Sequence, residues 1–187
     1  NNVDIMALRA RRHFDILNFE ECLRVTRSIL SRDPFVDKRV LLVHLAALVE
    51  LDERHELFVI AHTLVEKSPR EACSWLAVGY YYFSCSKFEL ARRYLQKATS
   101  LYARLGPAWL AIGHAFASQD ESDHAMAAYR TASRLLPNAP LPPLFMGMEY
   151  VRQSSLTHAS SFFQIAREAC PMDPAPRHEL GVVAYRT

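Results

Sequence analysis

The residues that could do chemistry are few, and their spacing does not suit it. His55 and Glu56 begin a metalloprotease-like string, but the next histidine is His62 rather than one four residues after the first. The spacing that lets two imidazoles meet one zinc ion is therefore missing. No G-x-S-x-G, Walker A or G-x-G-x-x-G string occurs, and His13, His44, His114, His124, His158 and His178 are scattered along the chain. Cys22, Cys73, Cys85 and Cys170 are widely and unevenly spaced without a C-x-x-C, which reads as free thiols in a reducing compartment. Cys73 and Cys85 read as small buried hydrophobes of a core helix. The expectation is no enzyme: no catalytic residues, no metal and no cofactor.

The 187 residues are 50% hydrophobic and carry 22 Lys plus Arg against 20 Asp plus Glu, a formal charge of +2. A disordered chain would be poorer in apolar residues, and a membrane helix needs a run of about 20 of them, which is absent. The weak net charge gives no field of the kind that drives phosphate binding. The chain opens without an initiator Met and stops inside an apolar pattern, so it reads as a piece of something longer.

The positioning elements emerge from the glycines. Gly79, Gly113, Gly147 and Gly181 recur at one constant interval, and other columns share it: Trp75 and Trp109; Tyr82, Phe116 and Tyr150; Ala91, Ala125 and Ala159; Leu95, Tyr129 and Phe163; Ala98, Ala132 and Ala166; Pro137 and Pro171. Gly and Ala let two antiparallel helices approach, the large residues fill the gaps, and the prolines stop the second helix. The pattern and its period of about 34 residues resemble the tetratricopeptide repeat. The expected fold is all-α, a right-handed superhelical solenoid of helix-turn-helix repeats forming one domain. Repeats are placed at about 3–37, 38–71, 72–105, 106–139 and 140–173, with a partial one at 174–187. The first is degenerate and ends at Asp33-Pro34, and in the second the small-residue columns have drifted to Leu45 and Leu57.

In such arrays the first helices line the concave side, so residues three or four apart on them share a groove. The groove positions are Cys73, Leu76, Tyr80 and Phe83 in the third repeat, then Pro107, Leu110, His114 and Ala117 in the fourth. Leu141, Leu144, Met148 and Val151, with Arg152 beside them, serve the fifth, and Ala175, His178, Val182 and Tyr185 the partial sixth. A rim of Glu149, Arg152, His178, Glu179 and Arg186 completes a surface suited to an extended or helical peptide with hydrophobic anchors. A register shift of one position would instead bury these residues between helices and make Tyr80 and His114 satisfied core groups. Clamping of an acidic chain terminus in this groove would need Lys, Arg and Asn there, and RNA reading would need polar groove residues. Arg92-Arg93 and Arg9, Arg11 and Arg12 read as solvated faces.

Particular strings carry a closer resemblance: Gly106-Pro107-Ala108-Trp109, Gly113-His114, Phe116-Ala117 and His124-Ala125-Met126-Ala127-Ala128-Tyr129. Asp33-Pro34-Phe35, Leu48-Val49-Glu50-Leu51, Glu56-Leu57-Phe58, Ala91-Arg92-Arg93-Tyr94-Leu95 and His178-Glu179-Leu180-Gly181-Val182-Val183-Ala184 add to it. The chain resembles the subunit-six family of the anaphase-promoting complex, the cell-division-cycle-sixteen type. That resemblance implies a non-catalytic scaffold in a multisubunit ubiquitin ligase of the cell cycle, found in nucleus and cytoplasm. It implies a small partner subunit whose N-terminal segment threads the groove, and homodimerisation through repeats outside this stretch. Ser84-Cys85-Ser86 and the Pro137 to Pro143 connection depart from the family. An adaptor of a different complex built on the same repeat is the alternative.

Overall fold

The structure, a computed structural model, describes residues 3–31 and 37–186. The Asp33-Pro34-Phe35 string, and with it the proline expected to close the first repeat, lies outside the described residues. The described residues form eleven helices: α1 (Val3–Asp15), α2 (Phe19–Leu30), α3 (Lys38–Glu50), α4 (Arg54–Lys67), α5 (Ala72–Ser84), α6 (Phe88–Leu101), α7 (Gly106–Ala117), α8 (Ser122–Leu135), α9 (Leu141–Arg152), α10 (Leu156–Ala169) and α11 (Ala175–Arg186).

One turn design separates the two helices of each pair. Leu17, Asp52, Ser86, Asp120 and Ser154 all have positive φ, and from Asp52 onward they recur at the same interval as the glycines. A left-handed residue just past a helix lets the following amide reach back to a free carbonyl. Glu53 N bonds Leu48 O at 2.9 Å, Lys87 N bonds Tyr82 O at 2.9 Å, and Glu121 N bonds Phe116 O at 3.0 Å. The donor in each case is the residue that caps the next helix, and it makes no side-chain cap. A single motif thus ends one helix and starts the next, without glycine.

The chain divides into two compact units, Asn1–Ala103 and Arg104–Thr187. Within each, consecutive helices pack as antiparallel neighbours, and alternate first helices (α1 on α3, α3 on α5, α9 on α11) also touch. The glycine column explains the tightest pairs. An ideal Cβ on Gly79 would stand 2.5 Å from Leu95 Cδ2, and the ring of Tyr129 fills the equivalent space at Gly113.

The second repeat solves the same contact the other way round. Leu45 occupies the glycine column, Leu57 the first alanine column, and Ala61 the column held elsewhere by Leu95, Tyr129 and Phe163. All three are buried in the first unit's core with Leu41, Leu48 and Leu64. Large and small have changed sides, and α3 and α4 touch far less extensively than α5 and α6.

Candidate functional site

The arrangement closest to catalytic geometry was not legible as a motif. In the first unit Thr26 Oγ1 lies 2.8 Å from His44 Nδ1, and His44 Nε2 lies 3.6 Å from Glu56 Oε1. Hydroxyl, imidazole and carboxylate stand in the order of a hydrolase triad. Thr26 and His44 are 0% and 1% exposed, however, and Thr26 donates to the carbonyls of Cys22 (2.9 Å) and Leu23 (3.1 Å). Arg27 holds Glu56 by a bidentate guanidinium pair and lowers the carboxyl pKa. Burial pushes the His44 pKa down to about 4. With no surface through which a substrate could reach Thr26, the cluster is a polar pin joining α2, α3 and α4. The sequence did carry a signal: His44 stands in the column of Val78, Ile112 and Met146, where a polar residue needs a buried partner.

The structure distributes the expected groove residues unevenly. In the first unit Leu76 is fully buried, Tyr80 packs half-buried on the core, and Phe83 meets Phe88 with ring centroids 5.6 Å apart. In the second unit Leu110 and the ring pair of His114 and Phe145, 4.2 Å apart edge to face, cover the cluster of Met126, Tyr129 and Met146. His114 Nδ1 lies 3.0 Å from the Tyr129 hydroxyl, and burial lowers its pKa to about 4, so it is neutral near pH 7. Leu144 is buried, while Met148 and Val151 lie half-exposed against Leu144, Phe163 and Val183.

His178, Val182 and Tyr185 border an open hollow of about 540 Å³ along α11. Nothing lies within 4 Å of the Cβ that Gly181 lacks, whereas Leu95, Tyr129 and Phe163 fill that space in the preceding repeats.

Arg152 and Glu149 correct the expected rim. Glu149 is 3% exposed and accepts a hydrogen bond from Ser122 Oγ at 2.7 Å. Arg152 Nη1 donates to the Ala117 carbonyl at 2.7 Å and lies 3.7 Å from Glu149 Oε1. Helical periodicity places Glu149 at the groove edge, but it is buried, with Ser122 at the start of α8 and Arg152 as its close partners. Arg152, still half-exposed, ties α9 to the end of α7. Among the described residues no three His, Cys, Asp or Glu side chains form a cluster that could hold a metal ion.

Three comparisons bear on this arrangement. The family model described as tetratricopeptide repeat matches residues 74–104 and 106–138. Anaphase-promoting complex subunit 6 of Arabidopsis thaliana is 45% identical over 108 residues, 58% of this chain and 20% of that protein. The cell division cycle protein 16 homolog of Homo sapiens is 44% identical over 108 residues, 57% of this chain and 17% of that protein. This chain thus matches a fifth or less of the length of these relatives. A crystal structure of the anaphase-promoting-complex hetero-tetramer Cut9–Hcn1 superposes with a TM-score of 0.94 at 37% identity, covering 99% of this chain and 35% of that one.

Proposed function

We propose, from the premise that the chain is a tetratricopeptide-repeat protein similar to subunit six of the anaphase-promoting complex, that it is a non-catalytic scaffold segment of such a ubiquitin ligase. The observation that carries this reading is the 0.94 TM-score at 37% identity over nearly the whole chain, since the matched structure is itself a subunit assembly. In this reading the segment works in nucleus and cytoplasm. The longer chain homodimerises through repeats outside these residues.

The partner of the groove is a peptide from the N-terminus of a small subunit. In the second unit Leu110, Met148, Val151 and Val182 supply half-buried apolar contacts, and in the first unit Tyr80 and Phe83 offer a half-buried apolar surface of the same kind. Leu76 and Leu144, being buried, hold the groove floor rather than touch the peptide. His114, neutral and bonded to Tyr129, presents a ring edge. Arg152, His178 and Tyr185 lie at the margin, where their exposure suits contacts that orient rather than anchor.

Titration with a labelled peptide from that N-terminus tests the groove. Saturable binding in the micromolar range or tighter, weakened in Met148→Glu, in Tyr80→Ala or in each, is the expected result. Binding unchanged in both variants, or none at all, would overturn the groove assignment.

A further inference from the structure

A second candidate surface lies on the other side of α5. At about 100° per residue, Trp75, Val78, Tyr81 and Tyr82 project roughly opposite to Leu76, Tyr80 and Phe83. With Phe58 and Ala61 of α4 and Tyr94 of α6 they line an open pocket of about 220 Å³. None of the expected groove residues borders it. Ala61, in the column held by Leu95, Tyr129 and Phe163 in the later repeats, is one of its walls. Phe58, one of its walls, remains 49% exposed, so an aromatic face is open to a ligand there.

The walls are preorganised. Trp75 stacks on Tyr94 at 5.8 Å and Tyr94 on Tyr82 at 5.2 Å, both nearly parallel, while Phe58 tilts against Tyr81 at 5.3 Å. The indole N–H of Trp75 is fixed by the Pro69 carbonyl at 2.7 Å. A rigid aromatic surface loses little conformational freedom when it takes a ligand side chain.

Charge decides what that ligand carries. Lys97 Nζ rests 3.2 Å from the centroid of the Trp75 ring, at the α6 edge of the pocket. Arg93, one turn earlier on the same face of α6 and next to Tyr94, is exposed. Among the described residues neither cation has a carboxylate partner, whereas neighbouring Arg92 pairs with Glu89. Two cations without a carboxylate partner on the α6 side, with Glu66 held 3.4 Å from His62 on the α4 side, complement an anion that lies along α6 next to an apolar side chain.

We propose that this pocket docks an acidic peptide segment bearing one aromatic or large aliphatic anchor. The anchor enters between Phe58, Tyr81 and Tyr82, and the flanking carboxylates pair with Arg93 and Lys97, the latter leaving the Trp75 face to do so. This site is independent of the groove proposed above.

The test is fluorescence anisotropy of the whole chain with a labelled peptide of aspartates around a single phenylalanine. Two control peptides replace the aspartates by lysines or the phenylalanine by alanine. Saturable binding of the acidic peptide, at least roughly tenfold tighter than of either control, is expected. Arg93→Glu with Lys97→Glu should abolish it. Phe58→Ala, at an exposed position and with its fold checked by circular dichroism, should weaken it about tenfold or more. Met148→Glu, in the other unit, should leave it unchanged. Equal binding of the lysine peptide, indifference to the charge reversals and Phe58→Ala, or no saturable binding of the acidic peptide would each overturn the proposal.

Discussion

The Cβ that Gly147 lacks would stand 2.5 Å from Cε1 of Phe163, while the Cβ that Gly181 lacks would meet nothing within 4 Å. The same column is therefore obligatory in one repeat and free in the next. Gly147→Ala should lower stability by about 1–3 kcal/mol, because the Phe163 ring must leave its rotamer or push α10 away. Gly181→Ala in α11 should raise it by about 0.5–1 kcal/mol, the ordinary helix-interior preference. Urea denaturation of the two variants should move in opposite directions, and a shared sign would refute the packing explanation.

The non-glycine turn residues offer a second stability lever. Ser86 holds φ at 57° with an exposed side chain that makes no hydrogen bond among those described. Ser86→Gly should gain about 0.5–1 kcal/mol by removing the Cβ from the left-handed region. Asp52→Gly should gain less, because Asp52 also holds Arg54 through two 2.8 Å bonds, an exposed pair of small net value. Paired thermal melts would show the order, and an Asp52 gain larger than that of Ser86 would argue against strain as the cause.

How far the sequence could be read follows from what each contact needs. The columns of Gly79, Ala91 and Leu95 announce a close helix crossing because the crossing is a two-body fit of small against large. Ala61 obeys the same rule inverted against Leu45, and it reads as drift until the structure shows both ends of the exchange. Thr26 and His44 stand far apart in the chain, on different helices, so no local spacing links them; only His44 in an apolar column hinted at a buried partner. Glu149 shows the limit of periodicity, which gives an angle around α9 but not whether the start of α8, at Ser122, meets that angle. Leu76 and Leu144 are buried although periodicity gives them a groove angle, because the angle does not say which neighbours pack there.

Two buried histidines should make stability fall on mild acidification. Burial lowers His44 and His114 from 6.5 to about 4. Around His44, Arg27 reinforces that shift and Glu56 opposes it; at His114 burial alone acts. Between the two values the unfolded chain binds more protons than the native one. Their contribution is complete above about pH 6.5 and declines as pH falls toward about 4, by at most about 1.4 kcal/mol per pH unit for each histidine. Urea midpoints taken across that window should fall steadily, and His114→Gln should flatten the slope of the second unit. An unchanged slope in that variant would mean His114 is not the group responsible.

Arg152 should prove more important to the fold than its exposed position suggests. Its guanidinium satisfies the Ala117 carbonyl at 2.7 Å and lies 3.7 Å from the carboxylate of Glu149, which is only 3% exposed. Arg152→Ala leaves that buried carboxylate with the Ser122 hydroxyl as its remaining close partner. The expected loss is about 1–3 kcal/mol, the cost of stranding a desolvated acceptor. Adding Glu149→Gln removes the charge and should return a substantial part of it, so the double variant should be more stable than Arg152→Ala alone. Additive losses in chemical denaturation would instead show that Arg152 and Glu149 act independently. Recovery also separates folding from recognition at this edge of the groove: peptide affinity restored together with stability would make Arg152 a support for the surface, whereas affinity still absent in a restabilised chain would make it a direct contact.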